Sequence, residues 1–332
     1  MLCSVIIPVR NGASTLARCL RSVCASPAPG FEVIVVDDAS SDSTAQIARR
    51  FPCRLLQLGT RRGAAGARNA GAAIARGELL FFTDADCVLR ADTLDLAARA
   101  LARAGPGTAM GGTYTPHPVD DTFYSRFQSA FIHYSETKRS AAPDYLATHA
   151  LAIRAREFRA QGGFAEGSLP ILEDVEFSHR LRRAGLRLRI DPGIQVGHVF
   201  GFGLRRSLLN AFVKSMHWTQ YSLRNGDLLT DSGTASHELK ANTAAYCVLL
   251  LCLCGYLLTG AGGWLGAALA ATAGNLFVSR GLLRSLRAAG GARFAAAAAL
   301  YYLLVYPLAV GAGAAGGAAR YLATSARRGA AR

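Results

Sequence analysis

Lysine is almost missing from this chain: Lys138, Lys214 and Lys240 are the only three among 37 basic residues, so arginine carries the formal charge of +15. No basic run is interleaved with aromatic side chains, so the sequence offers no track for a nucleic-acid strand, and no nucleic-acid partner is expected. A membrane face or a phosphorylated substrate is left to answer that charge. Charge of either sign is scarce, at 18% of residues against 51% hydrophobic, and the mean hydropathy is +0.21. That is too apolar for an ordinary soluble enzyme and indicates a membrane portion. Charges nearly vanish over 241–279 and 294–319, which puts a boundary near residue 240. The eight cysteines form neither a disulfide framework nor a zinc spacing. Reduced thiols acting as small buried hydrophobes are expected, as in a cytosolic domain. No signal-type leader is read at the N-terminus, because the apolar run 3–9 is too short and leads into Arg10-Asn11-Gly12; it reads as a first strand.

What is present is a rhythm of buried strands and helices. Strand-like runs at 4–9, 32–37, 53–58 and 78–83 alternate with helical patterns at 14–24, 43–51 and 64–75. Such repetition predicts a parallel sheet covered on both faces, with ligands beyond the carboxyl ends of the strands. Those ends carry Pro8-Val9-Arg10-Asn11, Asp37-Asp38 and Thr83-Asp84-Ala85-Asp86. Further on, 92–104 and 122–138 read as helices and 111–114 as a strand. The segment 172–184 reads as a helix closed by Gly185, with Glu173 and Asp174 in its first turn. Alone, each acidic group fits a helix cap or a favourable end charge.

The stretch "ELLFFTDADCVLR" runs an apolar strand straight into Asp84 and Asp86. On an extended backbone alternate side chains share a side, and two carboxylates there need a counter-charge. A divalent ion that prefers oxygen, Mg²⁺ or Mn²⁺, supplies it while keeping positions for water and phosphate.

Five fragments in this order and spacing, "SVIIPVRNGASTLARCLRSV", "EVIVVDDASSDST", "RRGAAGARNAGAAIARGELLFFTDAD", "GGF" and "ILEDVEFSHRLRRAG", resemble the family 2 glycosyltransferases over about 4–198. The resemblance implies a GT-A type α/β fold, a doubly wound, mainly parallel sheet with helices on both faces, followed here by a C-terminal α-helical membrane region. It implies that Pro8, Arg10, Asp38 and Arg68 line the pocket for the base and ribose of a nucleotide-sugar donor. Asp84 is implied at the ribose or diphosphate, Asp86 at the metal with Asp84, and His198 near the metal or diphosphate. Asp174 of the Glu173-Asp174 pair is implied as general base. The chemistry agrees: transfer from an activated sugar needs the leaving diphosphate neutralised and a carboxylate to deprotonate the attacking hydroxyl, and in-line displacement inverts the anomeric centre. His149 is a weaker candidate near the acceptor, and His179, Arg182 and Arg183 read as helix-surface groups. The Gln-x-x-Arg-Trp signature of processive relatives is missing around "SMHWTQYSLRNG", which favours addition of a single sugar.

The expected organisation is a transferase domain at 1–203, an amphipathic interfacial or linker region at 204–240, about three spans within 241–319 (242–258, 262–279 and 294–317) and a basic tail at 320–332. The expected location is the inner membrane, multi-pass, with the catalytic domain cytoplasmic. The acceptor is then lipid-linked or membrane-proximal, with membrane lipids as further partners. Two other readings stand beside this one: a polyprenyl-phosphate acceptor, whose ionised oxygen requires no strong base, and a non-catalytic nucleotide-sugar or lipid-binding membrane module.

Overall fold

The computed structural model describes residues 2–167 and 171–330, with side chains to 326. Residues 168–170 of the motif region and the end of the basic tail lie outside the described residues. In chain order the elements are β1 (Cys3–Val9), α1 (Leu16–Cys24), β2 (Phe31–Asp37), α2 (Thr44–Ala48), β3 (Arg54–Gln57), α3 (Gly63–Ile74), β4 (Leu79–Phe82), β5 (Cys87–Leu89), α4 (Thr93–Ala104), β6 (Thr108–Tyr114) and α5 (Phe123–Thr137). A 3₁₀ turn (Thr148–Ala150), β7 (Leu151–Arg154), α6 (Ala155–Ala160), α7 (Glu173–Arg183) and β8 (Arg187–His198) follow. Then come α8 (Leu204–Asn225), α9 (His237–Thr259), α10 (Gly263–Leu300), a π turn (Tyr301–Val305) and α11 (Tyr306–Ala330).

The chain divides into two compact units, 1–121 with 136–201, and 122–135 with 202–332. The first unit is built on one sheet of order β3-β2-β1-β4-β7-β6-β8-β5. Strands β3, β2, β1 and β4 run parallel, as the alternating rhythm predicts. Strand β7 is antiparallel to β4 and β6, β6 and β8 are parallel, and β5 is antiparallel to β8. The sheet is therefore mixed beyond β4, where the sequence offers no regular strand-helix repeat. Central β4 is buried along its whole length, so Leu79 to Phe82 read as an unbroken apolar run rather than an alternating one. Helix α3 lies close on β1 because Gly71 has no side chain: a Cβ there would stand 2.6 Å from the Ile6 Cγ2 atom.

In the second unit Phe127 sits edge-on to Tyr301 and Tyr306, at ring-centre distances of 5.0 and 5.3 Å, and forms an aromatic core with Phe131 and Tyr302. The chain enters this unit already at 122–135, before the first unit is finished, and the sequence pattern does not disclose that excursion. Among the described residues, two helical stretches are long and apolar enough to cross a membrane by length and composition, His237–Thr259 and Gly263–Ala326. The expected segment 294–317 and all but the first residue of 262–279 fall in the second stretch, which is interrupted at Gly291, where φ is +76°. Buried amides tie these helices together. Asn275 Nδ2 donates to Asn242 Oδ1 (2.8 Å), and Asn242 Nδ2 donates to the Tyr302 carbonyl in the π turn (2.7 Å), where a widened turn frees a carbonyl.

Candidate active site

The residues expected to act on a donor or acceptor lie in the first unit: at or beyond the carboxyl ends of β1, β2, β4 and β8, on α3 (Arg68), in the 3₁₀ turn (His149) and at the start of α7. The loops after β1 and β2 are fastened to each other. Asn11 and Gly12 donate backbone N–H bonds to Ser40 Oγ and Thr44 Oγ1, each at 2.8 Å, and Ala13 N–H reaches Asp42 at 3.1 Å. Pro8 is half-buried on β1 and Arg10 is exposed beyond it.

Asp38 is 4% exposed, and its two oxygens accept the Arg62 and Gly63 N–H groups at 2.6 and 2.9 Å. It thus satisfies orphan donors at the N-terminus of α3 from the end of β2, and its charge faces the positive end of that helix. Replacing Asp38 with Ala is expected to cost about 1–2 kcal/mol, the loss typical of a helix cap, in chemical denaturation of the full chain.

Helix α3 carries Arg68, whose side chain is 4% exposed and lies 5.8 Å over the Phe164 ring. Arg68 Nη2 donates to Asp84 Oδ1 at 2.7 Å, and Nη1 donates to Glu173 Oε1 at 2.5 Å. One guanidinium therefore joins two acidic clusters 89 positions apart in sequence (173 − 84). Burial disfavours the charged guanidinium, but Asp84 and Glu173 more than offset it and the group stays cationic. Burial likewise opposes ionisation of Asp84, while Arg68, with smaller help from His149 and His198, holds its carboxyl below the ordinary value. Asp174, next to Glu173, accepts the Val175 N–H at 2.9 Å in the first turn of α7. Leu172, read as the first helical residue, instead precedes the helix in a left-handed conformation with φ +76°.

Asp84 and Asp86 do not share an extended strand. Strand β4 ends at Phe82, and the Cys87 N–H bonds back to the Asp84 carbonyl at 3.0 Å, closing a turn. Turning separates the partners: Asp84 faces Arg68, while Asp86 lies 3.4 Å from His198 Nε2 at the end of β8. Strand β5 pairs Cys87 with His198, so antiparallel pairing brings this histidine to the acidic turn. Ligand atoms of Asp86, Cys87 and His198 lie within 4.8 Å of one another. Burial pushes the Cys87 thiol well up, and a soft sulfur ligand does not suit Mg²⁺ or Mn²⁺, which prefer oxygen. The Asp86 carboxylate, 41% exposed, and the His198 imidazole fit a hard divalent cation that completes its shell with water and phosphate oxygens.

A buried group that the sequence motifs do not mark stands beside this site. Glu136, 6% exposed, accepts from Thr113 Oγ1 at 2.8 Å, and lies 3.5 Å from His149 Nε2. The His149 ring stacks on Tyr114 at 3.9 Å, and Tyr114 meets His198 edge-on at 5.0 Å. Burial lowers the pKa of His149, but Glu136 first, then Asp84 and Asp174, raise it above the ordinary value. A raised histidine stabilises the fold fully below its unfolded pKa of about 6.5, and the effect is lost as pH rises through the folded value. The melting advantage of the wild type over His149→Gln is therefore expected to be larger at pH 6 than at pH 9. His179 and Arg182 both bind Asp144, at 2.9 and 2.5 Å, and Arg183 is exposed. Glu166 joins Arg62 at 2.8 Å and Asn69 at 2.9 Å, fastening the loop after Phe164 to α3. Neither Glu136 nor Glu166 falls in a recurring motif, so only its burial or pairing reveals it.

Residues 4–163 match the model of Glycosyl transferase family 2. Over that stretch the chain is similar to the family 2 glycosyl transferase domain. Glycosyltransferase AglE of Haloferax volcanii is 32% identical over 133 residues, covering 38% of this chain and 44% of the relative. Pre-mycofactocin glycosyltransferase of Mycobacterium tuberculosis is 29% identical over 205 residues, covering 59% and 42%. The chain thus spans less than half the length of these curated relatives. A solved mannosyltransferase, PcManGT from Pyrobaculum calidifontis in complex with GDP-Man and Mn²⁺, aligns with a TM-score of 0.59 at 21% identity, over 96% of this chain and 86% of that one. At that identity the likeness is one of fold, and the fold is the GT-A type.

Proposed function

We propose that the protein moves a single sugar from a nucleotide-sugar donor to a hydroxyl on a lipid-linked or membrane-proximal acceptor, with inversion at the anomeric carbon. The observation that supports this reading is the Arg68 tie between Asp84 and Glu173, which brings an acid from the turn after β4 and an acid from the first turn of α7 to one guanidinium. Pro8, Arg10, Asp38 and Arg68 form the wall toward the base and ribose, Arg68 chiefly by holding Asp84 and Glu173 in place. Asp86 and His198, with Asp84 adjacent, hold Mg²⁺ or Mn²⁺, which when bound neutralises charge on the departing diphosphate.

The acceptor hydroxyl loses its proton to the Asp174 carboxylate as its oxygen bonds to the anomeric carbon. The bond from that carbon to the diphosphate oxygen breaks on the opposite face, the electron pair leaves with the nucleoside diphosphate, and the proton remains on Asp174. Glu173, neutralised by Arg68, orients the first turn of α7 so that its neighbour faces the acceptor. The apolar helices of the second unit support a multi-pass anchor in the inner membrane, with the first unit, 1–121 and 136–201, as the cytoplasmic transferase domain.

The reading is tested by a thermal-shift screen of the detergent-solubilised chain against nucleoside diphosphates, with and without Mn²⁺. Stabilisation by one base, enhanced by Mn²⁺, is expected, followed by sugar transfer from the matching donor. Absence of transfer and of donor hydrolysis with every nucleotide sugar, despite nucleotide binding, would favour a non-catalytic binding module.

A further inference from the structure

The second unit contains a cavity that the proposed chemistry does not use. It has a volume of about 430 Å³ and is walled by α8, α9, α11 and the loop 227–236, with Trp218, Leu229, Lys240, Ala244, Val310 and Ala314 among its lining. That volume lies at the small end of the range for ligand pockets.

The loop is built rather than loose. The His237 N–H bonds to Asp231 at 3.2 Å, His237 Nε2 meets the Leu229 carbonyl at 2.9 Å, and Lys240 Nζ donates to the Thr230 carbonyl at 2.5 Å. This anchored loop nevertheless presents Leu228 and Leu229 at 40% and 81% exposure, beside the cavity that both line. The cavity opens along Ala244 and Cys247, which are exposed on α9. The same helix turns Leu251, Leu257 and Leu258 outward and is long enough to cross a bilayer. A hydrocarbon environment accounts for these outward leucines, and it makes a hydrocarbon chain the natural occupant. Among the described residues Lys240 is the one charged side chain in the lining, and it sits in the first turn of α9, beside the polar loop. Its ammonium can donate to an anionic head while its stem lies along the apolar wall.

We propose that this cavity binds a lipid of one chain bearing a phosphate head, with the chain between α8, α9 and α11 and the phosphate at Lys240. The small volume favours one slender chain over the two of a bilayer phospholipid. The site goes beyond the transferase reading: occupancy requires no sugar transfer, and its failure would leave the nucleotide site untouched.

Trp218 lines the cavity and is one of two tryptophans, so a Trp264→Phe background makes it the sole reporter. Farnesyl phosphate titrated into the detergent-solubilised full chain is expected to give a saturable shift in Trp218 emission. Farnesol should bind about tenfold more weakly, and Lys240→Gln should bring the two to equal affinity, the change expected on losing one charge-assisted hydrogen bond. Filling the space with Ala244→Leu and Ala314→Leu should abolish the saturable response, with helix content by circular dichroism unchanged. The proposal is overturned if farnesyl phosphate gives no saturable shift, or if the filled, folded variant responds as the wild type does. It is equally overturned if phosphatidylglycerol competes as well as farnesyl phosphate, which would assign the cavity to bilayer phospholipid.

Discussion

Replacing Arg68 with methionine should lower the stability of the first unit by about 2–3 kcal/mol and abolish nucleotide binding. The methionine keeps apolar contact with Phe164 but leaves Asp84 and Glu173 as two carboxylates with no shared cation. Removing one partner from a fully buried ion pair costs roughly 3–5 kcal/mol, because the remaining charge stays buried. The discount reflects side-chain exposures of 30% for Asp84 and 13% for Glu173, which let water screen part of the field. A fall in melting temperature of roughly 5–10 °C corresponds to that loss in a unit of this size. Acid should narrow the difference. In the wild type the depressed Asp84 pKa contributes stability above the unfolded carboxyl value of about 3.9, and this is lost as pH falls through the folded value. The variant lacks that contribution, so the difference should begin to shrink below about pH 4 and close only below the depressed folded value of Asp84. Equal melting at pH 7 would show that the Arg68 tie holds nothing together.

The second large effect is on turnover. Asp174→Asn keeps the size of the side chain and its bond to the Val175 N–H, but cannot take a proton from a hydroxyl acceptor. With the cognate donor and acceptor, kcat is expected to fall by roughly 10²–10⁴, the usual contribution of a positioned base, while nucleoside diphosphate binding stays unchanged. Largely retained turnover would instead favour a phosphate acceptor, whose oxygen is already ionised.

How much of this was legible in the sequence follows from what local pattern can report. The parallel half of the sheet could be read because each of β1, β2 and β4 is a short, continuous apolar run ended by polar residues. The half beyond β4 was read only in part: 111–114 falls within β6, but β8 contains Pro192 and Gly193, which break the pattern of a strand, and no repeat marks β7. At the site, the acidic clusters were visible as motifs, but their connection was not. Nothing in "RRGAAGARNAGAAIA" says that Arg68 alone among its arginines is buried between two carboxylates; that depends on the face α3 turns to the sheet. Extended spacing suggested that Asp84 and Asp86 share a ligand, whereas the turn at 84–87 sends one toward Arg68 and the other toward His198. Glu136 was invisible because a buried acid on a helix leaves no periodic signature; its partners Thr113 and His149 lie on other elements.

The central claim is that the cleft joined by Arg68 receives a cation together with a nucleoside diphosphate. Equilibrium binding of a panel of nucleoside diphosphates to the solubilised full chain, wild type and Asp86→Asn, with and without Mn²⁺, tests it most directly. One base should bind, about tenfold or more tightly with Mn²⁺, and Asp86→Asn should remove the Mn²⁺ enhancement. Failure of every nucleotide to bind, or binding indifferent to both Mn²⁺ and Asp86, would contradict it.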